Sequence, residues 1–114
     1  MPTTSKSPTI TKETTTTAST LLPPVHPGEI LREEFMLPLA LSSNALARAI
    51  GVTPARVNDI ANEKRGITAD TALRLARYFG TTADVWINLQ KRFELETARR
   101  ELGDALARIH PRAA

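Results

Sequence analysis

Four small or apolar residues recur at intervals that would bring two short helices together. Ala47 is followed by Gly51 four residues later, by Val57 six residues after that, and by Ile60 three residues further on. This spacing is typical of a helix-turn-helix, whose second helix enters the major groove of DNA. An ordinary helical hairpin in an all-α domain would use the same residue types, so both interpretations stand, with DNA binding the favoured one.

The residues between the two predicted helices suit the turn of such a motif. Gly51 can adopt the left-handed conformation that ends a helix. Thr53 can then cap the second helix, with Pro54 at its first position. Val57 and Ile60 would point back at Ala47 in the first helix. We therefore predict two helices and a tight turn within residues 46–65.

Similar signals predict the remaining helices. A first helix begins at Pro27 and ends before Pro38, because the residue before a proline disfavours helical backbone. His26, just before it, fits a cap or surface residue better than a metal ligand. Further helices are predicted at residues 44–50 with Ser42 or Ser43 as the cap, at Ala69–Phe79 with Thr68 as the cap, and from Ala83 with Thr82 as the cap.

The fold class that follows is all-α, with five helices, or six if one forms after Gly103, and no strand. Residues 1–24 are rich in threonine, with serine, proline and lysine, and lack periodic apolar residues, so we expect a flexible, disordered tail. The tail is either a dispensable extension or a segment that orders on a partner. We divide the rest into a helix-turn-helix DNA-binding domain at 25–97 and a C-terminal helical extension at 98–114.

Composition excludes several classes of protein. The 114 residues include no cysteine, so neither disulfides nor thiolate chemistry is available. No apolar run approaches the roughly 20 residues that span a bilayer, and the N-terminal lysines are not followed by the apolar core of a signal peptide. We therefore expect a cytoplasmic protein with no membrane partner.

Positive charge is concentrated in the middle of the chain. Residues 44–80 contain six Arg or Lys and three acids (6 − 3 = +3), whereas residues 26–43 contain one Arg and three Glu (1 − 3 = −2). A basic middle is what contact with phosphates would need, although solvated protein surfaces are often basic as well.

Nothing in the sequence indicates an enzyme. It lacks a zinc-binding HExxH, a glycine-rich phosphate loop and a plausible nucleophile–base pair. The adjacent acids Glu33 and Glu34 would point in different directions on a helix and are best interpreted as solvated. We predict no catalytic residue, no metal site and no cofactor.

Four segments resemble the HigA-type (VapI-like) antitoxins of the Cro/repressor-like helix-turn-helix superfamily. They are HPGEILREEF at 26–35, ALARAIGV at 45–52, KRGITADTALRLARYFGT at 64–81 and VWINLQ at 85–90. The resemblance implies a five-helix domain in a homodimer that binds a palindromic operator in its own promoter. It also implies a partner toxin, typically a RelE-like ribonuclease that cleaves messenger RNA. The alternative is a stand-alone regulator of the same fold, and a helical adaptor without DNA affinity is a further one.

The resemblance also assigns roles to individual residues. Exposed positions of the second helix would face DNA: an Asn can pair with adenine, an Asp can accept from cytosine, and an Ala or Thr can contact the thymine methyl. Arg56 would reach a guanine or a phosphate, while cations and helix N-termini would hold the backbone. The full set of predicted DNA contacts is Ser43, Thr53, Ala55, Arg56, Asn58, Asp59, Asn62, Lys64, Arg65 and Thr68.

The last long helix is the predicted dimer interface. Trp86, Leu89 and Phe93 recur at intervals of three and four, and such large apolar groups exceed what a small core can absorb. The alternative is that Trp86 belongs wholly to the core of its own chain.

Overall fold

The computed structural model describes residues 22–113, and within this part of the chain it contains helices and no strand. The predicted all-α fold is therefore confirmed. Helix α1 (Pro27–Ile30) continues directly into a π-helical segment (Leu31–Met36), and the others are α2 (Ser43–Ile50), α3 (Pro54–Ala61), α4 (Ala69–Phe79), α5 (Ala83–Leu102) and α6 (Asp104–Ala107). Most of the predicted tail, residues 1–21, lies outside the described residues.

Short polar side chains begin the helices as predicted. Thr53, Thr68 and Thr82 each accept a hydrogen bond from the backbone N–H three residues later, which caps α3, α4 and α5. Ser42 rather than Ser43 caps α2, accepting from the N–H of Ala45 at 3.0 Å. Each such cap typically contributes about 1 kcal/mol.

Glycines end two of the helices in the left-handed conformation. Gly51 (φ 75°) follows α2 and Gly80 (φ 75°) follows α4, and each donates its N–H to a carbonyl four residues earlier. The conformation of Gly51 was predicted from the sequence.

The first helix ends at Met36, before Pro38 as predicted, but the predicted cause is wrong. Leu37 precedes Pro38 but keeps helical angles (φ −62°, ψ −50°), so the proline does not end the helix by displacing it from that conformation. Its N–H donates to the carbonyl of Arg32, five residues back, at 2.9 Å, which continues the π-helical pattern. The chain turns away only at Ala40, which has a positive φ of 52°.

The core is a single cluster drawn from the π-helical segment, from α2 to α5 and from the loop between α3 and α4. Its fully buried side chains include Leu31, Leu46, Ile60, Leu75 and Trp86. Trp86 is 0% exposed, lies 5.1 Å from Phe35 between ring centroids, and donates its indole N–H to Thr81 Oγ1 at 2.9 Å. Replacing such a tryptophan by alanine typically costs about 3–5 kcal/mol.

Burial of Trp86 corrects its predicted place in a dimer interface. With no exposed surface in its own chain, its side chain has nothing to offer a partner. The alternative considered for this residue, a wholly intramolecular role, is the one observed. Leu89 and Phe93 are only partly buried, Leu89 against the core and Phe93 against the ring of His26.

Helix α5 extends well past the core. It runs through the predicted boundary between residues 97 and 98 and ends at Gly103, after which the short α6 begins. Four large apolar side chains are exposed along this part of the chain: Leu95, Leu102, Leu106 and Ile109.

Candidate nucleic-acid interface

Helices α2 and α3 form the helix-turn-helix that the spacing predicted. Ala47 is completely buried where the helices approach, and its carbonyl accepts from the N–H of Gly51 at 2.8 Å and of Val52 at 3.0 Å. Val57 and Ile60 are buried on the inner side of α3. The opposite side of α3 is therefore free to face a ligand.

The outer side of α3 carries most of the predicted contact residues. Thr53, Ala55, Asn58 and Asn62 are exposed, while Asp59 is half-buried. A side-chain amide, a hydroxyl and a methyl group are the groups that distinguish base edges in the major groove.

Ser43, at the start of α2, meets Asn58, in the middle of α3. Its hydroxyl donates to Asn58 Oδ1 at 3.4 Å, although the two residues are 15 positions apart. This contact leaves the Nδ2 group of Asn58 available as a donor. Ser43 thus lies beside Asn58 on the outer side of α3.

Two charged residues of α3 are held by partners in the chain. Arg56 Nη1 donates to Asp70 Oδ1 at 3.2 Å and to Thr71 Oγ1 at 3.3 Å, both at the start of α4. Asp59 forms a longer ion pair, 3.9 Å, with Arg65. The sequence predicted neither ion pair, because both depend on the path of the loop at 62–68, which brings Arg65 and Asp70 next to α3.

Cationic and helix-terminal groups border α3 on the side of α4. Lys64 and Arg65 are exposed in the loop after α3, and Thr68 caps the positive end of α4. A shallow concavity joins Arg56 and Arg65 to this helix end. Basic side chains and helix N-termini both attract phosphate groups.

Asp70 lies inside this positive region and remains ionised. Hydrogen bonds from Arg74 and, second, from Arg56 lower the pKa of the Asp70 carboxyl below its ordinary value. Arg74 also donates Nη1 to the carbonyls of Ile50 (2.8 Å) and Gly51 (3.2 Å), which satisfies the C-terminal end of α2.

Helix α1 and the π-helical segment after it pack against α3 through residues to which the sequence analysis gave no role. A β-carbon on Gly28 would lie 1.7 Å from the carbonyl oxygen of Ile60, so only glycine allows this approach. Arg32 donates to the carbonyl of Ala61 and to Glu63, at the C-terminal end of α3. Glu63 itself has a left-handed backbone (φ 64°).

Gln90 fixes the loop after α3 from the side of α5. Its Oε1 accepts from the N–H of Ile67 at 2.7 Å, and its Nε2 donates to Glu94 at 2.9 Å. The one sequence signal for this role is a polar residue four positions after Trp86, on the apolar stripe of α5. Gly66 makes room for the amide, because a β-carbon there would lie 2.8 Å from Gln90 Nε2.

His26 caps α1, one of the two roles that the sequence had left open, and is buried rather than on the surface. Its Nδ1 accepts from the N–H of Gly28 at 2.8 Å, and burial lowers the pKa of the imidazole, with Glu63 opposing this effect. Within residues 22–113 there is no group of three or more His, Asp or Glu that could hold a metal ion, and no helix there is long and apolar enough to cross a membrane.

Comparison with known proteins identifies the family. The helix-turn-helix family model HTH_3 matches residues 31–86. Virulence-associated protein I of Dichelobacter nodosus is 55% identical over 80 residues, which are 70% of this chain and 74% of that protein. Antitoxin HigA-1 of Vibrio cholerae is 34% identical over 88 residues, which are 77% of this chain and 83% of that protein.

A solved structure gives the same result. The antitoxin HigA of Pseudomonas aeruginosa, determined with the higBA promoter, is 49% identical and superimposes with a TM-score of 0.76 over 79% of this chain and 99% of that one. These relatives are antitoxins and helix-turn-helix proteins and not enzymes, in agreement with the sequence analysis. Together with the α2–α3 geometry, they show that the chain belongs to the HigA-type (VapI-like) antitoxin family of helix-turn-helix proteins.

Proposed function

We propose that this protein is a DNA-binding antitoxin that represses its own operon and neutralises a toxin encoded beside it. The observation that carries the DNA-binding role is the exposed outer side of α3, where Asn58 lies beside Ser43. The promoter complex of the Pseudomonas aeruginosa relative supports the same role. Binding of this kind takes place in the cytoplasm, where the operator is accessible.

The contacts divide into two classes. Thr53, Ala55, Asn58, Asp59 and Asn62 face base edges, since their amide, carboxylate, hydroxyl and methyl groups match the donors, acceptors and thymine methyl of the major groove. Lys64 and Arg65, with the capped end of α4 at Thr68, hold the phosphate backbone. Base contacts give sequence preference, and phosphate contacts give affinity that depends on salt.

The protein acts as a homodimer on a palindromic operator. One helix-turn-helix reads only a few base pairs, and a two-fold dimer places two reading helices about one DNA turn apart. We propose that α5 forms the interface. Its apolar groups available to a partner lie on two sides of the helix, the exposed edges of Leu89 and Phe93 on one side and Leu95 and Leu102 on the other.

We propose that the partner toxin is a RelE-like ribonuclease, the toxin class that the resemblance to this family implies. Two predictions separate an antitoxin from a stand-alone regulator. A reading frame for a small basic protein lies beside this gene, and its product co-purifies with this chain.

Co-expression with the neighbouring gene, followed by affinity purification and a footprint on the shared promoter, tests the proposal. We expect a stable complex of the two proteins and a protected palindrome. Promoter protection without a complex would show a stand-alone regulator. A complex without protection would show an adaptor that does not bind DNA, and would overturn the repressor role.

A further inference from the structure

The carboxylate of Asp70 links α3 to the turn between α2 and α3. Asp70 Oδ1 accepts from Arg56 Nη1 at 3.2 Å and from Arg74 Nε at 2.6 Å. Arg74 in turn donates to the carbonyls of Ile50 and Gly51. An unbroken series of hydrogen bonds therefore runs from the end of α2, through α4, to Arg56 on α3.

Arg56 is held through a single nitrogen. Both of its hydrogen bonds within the described chain, to Asp70 and Thr71, use Nη1. Its Nε and Nη2 groups donate to no other described residue. A guanidinium is a rigid planar fork, so two acceptors on one nitrogen restrict the directions in which the other nitrogens point.

The charge of Asp70 also affects how strongly Arg56 attracts DNA of any sequence. Affinity for any DNA sequence grows with the number of phosphates that cations neutralise. An arginine whose charge is offset by a carboxylate at 3.2 Å contributes less to this term. A bidentate contact between an arginine and a guanine, in contrast, depends on direction as well as charge.

We infer that Asp70 is a specificity-determining positioning residue, which aims the free edge of Arg56 at a guanine and reduces its attraction to phosphates. The inference rests on the proposed DNA binding and adds a residue that itself contacts no base. It assigns Arg56 to a base edge rather than to the phosphate backbone, two roles that the sequence left open.

The test compares Asp70→Ala with a matched control, Asp84→Ala. Both aspartates are the second residue of a helix and follow a threonine cap and an alanine, and Asp84 makes no ion pair among the described residues. Asp70 is 57% exposed, so its removal leaves the core intact. The dimer is titrated with operator and scrambled duplexes at several salt concentrations, and thermal melting checks the fold.

Asp70→Ala is expected to lower the ratio of operator to scrambled affinity roughly tenfold, the discrimination of one bidentate base contact. The log–log salt slope on scrambled DNA should steepen by up to about one, because Arg56 gains a phosphate. Asp84→Ala should change neither quantity. An equal loss on both duplexes, or no change in the ratio, would overturn the inference.

A double-mutant cycle with Arg56→Gln shows whether Asp70 acts through Arg56. Adding Asp70→Ala to Arg56→Gln should lower the ratio no further, and a further drop would contradict the inference. If Asp70→Ala does not fold, Arg56→Lys tests the assignment of Arg56 to a base, because lysine keeps the charge but lacks the planar guanidinium. Its ratio should also fall, and an unchanged ratio would overturn the assignment. Failure of the wild-type dimer to prefer the operator would instead overturn the proposed function.

Discussion

The α-carbon of Gly28 lies so close to the carbonyl of Ile60 that a β-carbon would sit 1.7 Å from its oxygen. Helix α1 is thus packed directly against the backbone of α3, near the end of the helix proposed to read DNA. Arg32 strengthens the same contact by donating to the carbonyl of Ala61. The position of α3 therefore depends on α1 as well as on the turn from α2.

Gly28→Ala should destabilise the fold by about 1–3 kcal/mol or more, because a rigid backbone carbonyl occupies the space of the new methyl group. Gly66→Ala is the comparison, since its β-carbon would displace the side-chain amide of Gln90 and its hydrogen bond to Ile67 but would meet no backbone atom at that distance. Urea unfolding followed by tryptophan fluorescence gives both values. Equal or smaller destabilisation by Gly28→Ala would show that α1 can move away from α3 without cost.

His26 should make stability depend on pH below about 6.5. Burial lowers the pKa of His26 in the folded chain, so the unfolded chain binds the proton more readily. Stability is then full above the ordinary pKa of 6.5 and falls as pH drops towards the lowered value. A protonated Nδ1 also cannot accept from the N–H of Gly28.

The variant His26→Asn tests this dependence, because Asn can cap the helix without titrating. The urea midpoint of each protein is measured at about pH 7.5 and at about pH 5. The midpoint of the wild type should fall more on acidification than that of His26→Asn. The contact with Phe93 is lost at both pH values and cancels from the comparison. An equal fall of the midpoint in both proteins would show that His26 does not couple folding to protonation.

Ala40→Gly should stabilise the protein. Ala40 has a left-handed backbone (φ 52°), which costs an alanine roughly 1–2 kcal/mol, and glycine adopts it freely at a smaller entropic cost. A net gain of roughly 0.5–1 kcal/mol is expected in urea unfolding. Ala49→Gly, on the exposed surface of α2, should instead cost about 1 kcal/mol. A loss in both variants would contradict the assigned strain at Ala40.

Leu95→Asp should convert the proposed dimer into a folded monomer with weaker operator binding. Leu95 is 55% exposed on α5, so a charge there should disrupt an interface without entering the core. Leu89 and Phe93 are less suitable positions, since they also pack within their own chain. Leu73→Asp, at a 62% exposed position on α4, is the control. If light scattering finds a dimer for Leu95→Asp, the interface does not include this part of α5.

Local signals predicted the helices well. The residues that cap the helices assigned to them by the sequence are Thr53, Thr68, Thr82 and Gly51. Their effect depends on backbone atoms within four residues, so one sequence is enough to identify them. The motif itself was predictable for the same reason, because its spacing lies within fourteen consecutive residues.

Contacts between distant residues were not predictable. Gly28 and Ile60 are 32 positions apart, and Ile67 and Gln90 are 23 apart. Nothing in the local pattern indicates that such pairs meet, because the packing of whole helices decides it. The burial of Trp86 was not predictable either, since an apolar stripe on a helix can face the core of its own chain or a partner.

The central claim is that α3 reads base edges in the major groove, and Asn58→Ala tests it most directly. Removing the amide should cost on the order of 1–3 kcal/mol at the operator, with much less effect on scrambled DNA. Lys64→Ala should weaken both duplexes alike and reduce the salt slope by about one. Neither side chain is buried, so the fold should survive. Titration of both variants on both duplexes should therefore separate a loss of selectivity from a loss of general affinity. If Asn58→Ala weakened operator and scrambled DNA by the same factor, α3 would not be the helix that reads the sequence.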